Sequence, residues 1–354
     1  MEKNHHTVKN SKLNRAIRWA GTVLLVLAAL AALQRLLMPK YMSSIQEGSM
    51  IEEYYGEEKN HDVIFIGDCE LYENFSPAVL WEEYGINSYI RGSAEQLMWQ
   101  SYYLLEETLK YEQPRVVVFN VLAMKFNEPQ KESYNRMTLD GMRWSVSKVN
   151  SIRASMTEEE SFIEYVFPIL RYHSRWNQLS GEDFRFFLKK EPVTFNGFRM
   201  RADVLPAENV PSPRPLSDYR FGEKAYEYLD KMTWLCKENN VELVLVKAPS
   251  LYPSWYEEWD VQMREYARAN GLRYYNFLDV TDEIGLDYNV DTYDAGLHLN
   301  LSGAEKLSRY FGNILTEEIG LESRRGEENL EKVWQGKLEA YRREAQRQAE
   351  ALRQ

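Results

Sequence analysis

The stretch VIFIGDCELYENFSP, residues 63–77, decides how this chain is read. Val63-Ile64-Phe65-Ile66 is an apolar, mostly β-branched run of the kind that forms a strand buried on both faces. Gly67-Asp68 breaks it, Cys69 stands at the breakpoint, and Pro77 opens a helix predicted over 78–84. A nucleophile on a sharp turn after a core strand is raised above the sheet edge. A small thiol packed into an ordinary strand-to-helix turn leaves the same local pattern, so residues further along must separate the two.

Outward from this stretch the β/α rhythm continues. Short apolar runs at 87–90, 115–120, 242–246 and 273–278 read as strands. Between and after them, helical periodicity covers 94–111, 221–240, 257–270 and 301–319, with Gly271 a helix stop and Ser302 with Glu305 a capping box at the last helix. Strands alternating with helices of this length imply an α/β fold with a parallel sheet covered on both faces. Residues 127–220 break the rhythm with Pro and Gly loops and one helix predicted over 158–172. They read as a long insertion, a lid or substrate surface.

Residues 19–38 are almost uncharged and about as long as a bilayer span, with Arg35 placed to snorkel from its end. Lys3, Lys9, Lys12, Arg15 and Arg18 precede it, which puts residues 1–18 in the cytoplasm and the rest outside a cell membrane. A cleaved signal peptide, with Ala29-Leu30-Ala31 as its site, gives the same extracytoplasmic placement. Residues 39–61 then read as a polar juxtamembrane stalk or a short helix, 62–320 as the α/β domain, and 321–354 as a charged C-terminal helix. That helix is either solvated or partner-binding.

A net charge of −11 over 354 residues argues against a nucleic-acid partner, since phosphate binding needs a basic face. Two cysteines make no disulfide framework, and Cys236 falls in an amphipathic helix where a core role is expected. No phosphate loop, dinucleotide Gly fingerprint or metal-ligand spacing occurs, so no cofactor and no metal are expected. Of five histidines, His298 is the one with acidic residues just upstream and a helix just downstream. Its loop follows the last strand and reaches the sheet edge that carries Cys69. A catalytic thiol wants such a base, and Asp294 or Asp291 would fix its tautomer. The alternative for His298-Leu299-Asn300 is a polar loop capping a helix. His173 reads as structural, and Arg171, Arg175 and Lys247 as surface charges or contacts to an anionic substrate.

An anchor, a strand ending in Gly-Asp-Cys-Glu-Leu and a distal Asp-x-x-x-His-Leu-Asn before a helix together resemble the SGNH/GDSL hydrolase superfamily over residues 62–320. The branch it looks most like is the membrane-anchored, acyltransferase-like one. That branch includes the D-alanyl-lipoteichoic acid biosynthesis proteins and the accessory proteins of membrane-bound O-acyltransferases. The resemblance implies a flavodoxin-like three-layer α/β/α sandwich. It puts Cys69 in the place of a nucleophilic Ser, Gly92 and Asn120 in the oxyanion hole, and His298 with Asp294 as base and orienting acid. Three departures stand out. The nucleophile is Cys, the third block lacks Gly-x-Asn-Asp, and Asp294 lies one residue further from His298 than the family spacing.

The expected function is acyl transfer or ester hydrolysis on a cell-surface glycan or teichoic-acid-like polymer. A lipid-linked acyl donor and a membrane-bound O-acyltransferase are its implied partners. The competing expectations are a catalytically inactive binding or assembly subunit on the same fold, and a thiol protease or amidase.

Overall fold

The computed structural model describes residues 3–41, 45–189 and 191–353, with side chains from residue 12 onward. The first two residues of the expected cytoplasmic segment, residues 42–44 of the expected stalk and the last residue of the C-terminal helix lie outside this description. The chain forms two compact units, Met1–Gln46 with Ser161–Glu191, and Glu47–Glu160 with Pro192–Gln354.

In the first unit, helix α1 spans Lys3–Leu37 and stops ahead of Pro39, which cannot continue a helix. Its portion Lys12–Leu37 is long and apolar enough to cross a membrane, and only its C-terminal end, at Leu37, is buried. A two-residue hairpin follows, pairing Lys40–Tyr41 with Ile45–Gln46. The helix expected over 158–172 is instead two short pieces, Phe162–Val166 and Ile169–Tyr172, because Pro168 interrupts the backbone ladder between them.

The second unit is built on five parallel strands: β1 (Val63–Gly67), β2 (Ser88–Gly92), β3 (Val116–Asn120), β4 (Glu242–Lys247) and β5 (Arg273–Asn276). Their order is β2-β1-β3-β4-β5, with Phe65 paired to Ile90 on one side and Val118 on the other. This is the flavodoxin-like order, and its reversal point lies between β1 and β3. The first three strands are buried at every position, β1 and β3 through apolar runs and β2 with Arg91 paired to Glu107 at 2.9 Å.

Helices complete the sandwich. One set contains α3 (Met98–Thr108), α5 (Val146–Ser155) and α6 (Glu223–Glu238), which pack on one another. The other contains the turns Pro77–Val79 and Leu80–Tyr84 against α8 (Leu301–Asn313). The remaining helices used below are α2 (Cys69–Tyr72), α4 (Glu132–Leu139), α7 (Glu257–Asn270) and α9 (Glu328–Ala351). Phe65 of β1 meets Phe75 and Phe311 at ring separations of 5.2 and 5.9 Å, joining sheet to helix layer. Helix α7 ends where expected, at Gly271 with φ 68°.

Three expectations change at this level. The N-cap of α8 is Asn300, whose side chain accepts from the Gly303 N–H at 3.2 Å, so Ser302 lies inside the helix. Within the stretch read as a stalk, Met50, Ile51 and Tyr54 are core residues. The apolar stripe of helix α9 packs on its own unit, and the other face is solvated. Trp334 stacks on Trp81 at 5.4 Å and donates to Asn87 at 3.0 Å, and Tyr341 is buried against Ser76.

Candidate active site

Strand β1 delivers the chain to the point where the strand order reverses. Asp68 caps the turn there, accepting from the Glu70 N–H at 3.2 Å, and Cys69 opens α2 with its side chain partly exposed. Gly92, at the end of the neighbouring β2, has no room for a side chain, since a Cβ there would lie 3.0 Å from the Gly67 carbonyl and 3.1 Å from Tyr72. Its main chain therefore lies directly against the turn that carries Cys69.

The second loop is equally constrained. Thr292 donates to the His298 carbonyl at 2.7 Å and accepts from the Gly296 N–H at 2.8 Å. Ala295 and Gly296 both adopt left-handed backbone, with φ of 63° and 96°. This pair takes up the extra residue between Asp294 and His298. Asp294 consequently accepts from the His298 N–H at 2.8 Å and sits 2.7 Å from Nδ1. Asn74, from the Cys69 block, accepts from the Leu299 N–H at 2.8 Å and ties the two loops together.

His298 is buried, and its Nε2 has no hydrogen-bond partner among the described residues. With Nδ1 held by carboxylates, Nε2 is the nitrogen left for Cys69, whose charge and that of the ring act on each other. Burial pushes the Cys69 thiol above its usual range; His298 opposes this, and Asp68 and Glu73 reinforce it. Burial alone would lower His298. Cys69, Glu73 and the Asp294 hydrogen bond outweigh it and hold the imidazole well above its ordinary value.

Glu73 is the residue that sequence reasoning missed. It is buried, with one carboxylate oxygen 3.1 Å from His298 Nδ1 and the other 3.2 Å from Arg199. The Tyr293 hydroxyl donates to it as well, and the Tyr293 ring stacks along His298 at 6.0 Å. Its spacing was the available signal, since a residue four places after Cys69 lies on the same face of a helical turn. Arg199 arrives from 126 residues away, on a segment that covers the edge of β2 through a bond from the Ile90 N–H to the Asn196 carbonyl.

Asn120 is close by but differently employed. It is fully buried, and its amide donates to Asp68 at 2.9 Å and to Glu70 at 3.0 Å. Both amide hydrogens are thereby used, leaving none for an oxyanion. Lys247 is neither a surface charge nor a substrate contact. Fully buried, it lies 2.9 Å from both Glu70 oxygens. Asp291 is turned away, holding Lys306 at 2.6 Å and the Asp287 N–H at 2.8 Å. His173 is exposed and bonded to the Leu170 carbonyl at 2.9 Å. Burial, and after it the charges of Glu95 and Cys69, push the hydroxyl of Tyr134 on α4 up.

Glu73, Asp294 and His298 present potential ligand atoms within 4.8 Å of one another. These atoms are engaged with each other at hydrogen-bond lengths, and the Arg199 charge on Glu73 opposes a cation.

No protein-family model matches this chain, and no curated protein matches it. Solved structures do. A protein described as an acylhydrolase, from Bacteroides fragilis, is 11% identical with a TM-score of 0.38, over 76% of this chain and 95% of its own. A GDSL-like lipase from Bacteroides thetaiotaomicron is 12% identical with a TM-score of 0.35, over 77% of this chain and 100% of its own. The fold assignment stands on strand order and register.

Proposed function

We propose that this chain is a membrane-anchored, extracytoplasmic esterase or O-acyltransferase acting on a cell-surface glycan or teichoic-acid-like polymer, with Cys69 as nucleophile, His298 as base and Asp294 as its orienting acid. The observation that carries the reading is the state of His298. Its Nδ1 is held at 2.7 Å by Asp294, while its buried Nε2 has no partner of its own and Cys69 stands beside the ring.

The Cys69 thiol gives its proton to His298, which forms the thiolate–imidazolium pair. The thiolate attacks the ester carbonyl, and the carbonyl electron pair moves to oxygen. The main-chain N–H groups of Cys69 and Gly92 are the candidates to hold that oxyanion. Collapse expels the alkoxide, which takes the proton from His298 and leaves an acyl-Cys69 thioester. A sugar or polyol hydroxyl, or water, then gives its proton to His298 and attacks the thioester, releasing Cys69. A thioester keeps more transfer potential than a serine ester, which favours transfer over hydrolysis. An anchor facing a lipid-linked donor or a membrane-bound O-acyltransferase suits that role, with the N-terminus in the cytoplasm.

The test is turnover of p-nitrophenyl acetate, with intact-mass detection of an acetyl adduct. Wild type should show both and Cys69→Ala neither, and equal rates would remove the covalent role. A non-catalytic binding or assembly subunit is the second reading. It is favoured by one observation, that the Asn120 amide is fully committed to Asp68 and Glu70. Function that survives both Cys69→Ala and His298→Ala would select it.

A further inference from the structure

The compact unit that contains α1 also contains residues 161–191, and the two are fastened at the C-terminal end of the apolar span. Arg175 donates to the Leu37 carbonyl at 2.6 Å. Lys40 sits 3.2 Å from Asp183 and 3.6 Å from Glu182, with its ammonium 5.4 Å over the Phe186 ring. Leu37 is buried where the span ends.

Fastened in this way, residues 161–191 ought to bury their apolar side chains in ordinary globular fashion, and they do not. Among the described residues beyond Leu37, six of the seventeen exposed large hydrophobic side chains fall here: Ile163, Phe167, Leu170, Trp176, Phe184 and Leu188. Trp176 is 72% and Leu188 81% exposed. Phe184 and Leu188 are four apart on one face of the helix Gly181–Leu188, while Asp183 is turned inward to Lys40. The segment also carries five basic side chains to four acidic ones, in a chain of net charge −11.

Aromatic and aliphatic side chains left bare at the end of a bilayer-length helix, with cationic residues among them, are suited to the headgroup boundary of a membrane. We propose that residues 161–191 form a lipid-binding foot that seats these six side chains in the interfacial layer of the leaflet where α1 emerges. The proposal rests on α1 being an uncleaved anchor. Its physical sense is that two points of insertion hold this unit against the bilayer more firmly than a single tilting helix does.

The test uses the full chain in liposomes of phosphatidylglycerol and phosphatidylethanolamine, with a nitroxide placed by Leu188→Cys in one sample and Leu25→Cys in another, and collision by oxygen compared with that by a water-soluble nickel chelate. A foot predicts that oxygen dominates at Leu25 and that Leu188 lies between bilayer and bulk-water values. Oxygen dominance at Leu25 with bulk-water values at Leu188 would overturn the foot and leave the anchor standing. Bulk-water values at both positions, or loss of residue 25 from the mature chain, would overturn the anchor and the foot together. Trp176→Phe supplies an independent readout, because a foot predicts that this substitution removes part of the tryptophan emission quenched by shallow brominated lipid.

Discussion

Glu73 lies 3.1 Å from His298 Nδ1, the same nitrogen that Asp294 holds at 2.7 Å. Two carboxylates thus share one N–H, where a single acid suffices to orient an imidazole. Glu73 is the more buried of the two and is itself held by Arg199 and Tyr293. The shared proton stabilises the imidazolium and works against easy deprotonation.

The first prediction follows from that charge. In Glu73→Gln, His298 loses one of the groups holding it above its usual value and keeps the Asp294 bond, so its titration midpoint should move down. The His298 ring proton, followed by NMR across pH 6–10, reports the midpoint directly. An unchanged midpoint would mean that the Glu73 carboxylate does not act on His298.

A second prediction concerns the thiol. The imidazolium lowers Cys69 against burial and carboxylate repulsion, so removing it should make the thiol harder to ionise. Iodoacetamide should therefore modify His298→Ala several-fold more slowly than wild type at pH 8, by peptide mass mapping of residue 69. Cys236 serves as the internal reference, being buried with its thiol pushed up to about 12. Equal rates in the two proteins would break the Cys69–His298 pairing.

Much of this was legible in the chain, and the limits have physical causes. Strands β1, β3 and β4 and the principal helices announce themselves by period, because the buried centre of a sheet leaves apolar runs. The contact of Asp294 with His298 was foreseeable because the two lie four residues apart in one loop. Glu73 was not, since its meaning depends on Arg199, 126 residues on. The same holds for Asn120 and Lys247, whose shared partner Glu70 lies 177 residues before Lys247. Helix α9 has a stripe that any apolar surface satisfies, so sequence could not tell self from partner.

Asp68 gives a third prediction. Burial, and then the Glu70 charge, push its carboxyl up to about 6. Below about pH 4 the group is protonated in both folded and unfolded chains. Between about pH 4 and 6 the unfolded chain ionises first, so the folded state loses stability as pH rises through this window, by about 3 kcal/mol for a shift of about two units. Asp68→Asn keeps the acceptor for Glu70 and Asn120 and cannot ionise. The urea midpoint of Asp68→Asn should gain on wild type from pH 4 to 7, and a gap independent of pH would place the Asp68 titration elsewhere.

The last prediction tests the floor beneath the site. Lys247 and Glu70 are both buried, and Asn120 bridges Glu70 to Asp68. Removing one member of a buried ion pair strands the other charge, at a cost of about 3–5 kcal/mol. Lys247→Met should therefore lower the unfolding free energy by that order. Glu70→Gln in the same chain should restore most of it, because the amide is neutral and still able to accept from Asn120. If the double variant is as unstable as the sum of the two single ones, the pair is not coupled. If it recovers stability but Cys69 alkylation stays perturbed, the network has a second role, holding the Gly67–Cys69 turn at the height the chemistry needs.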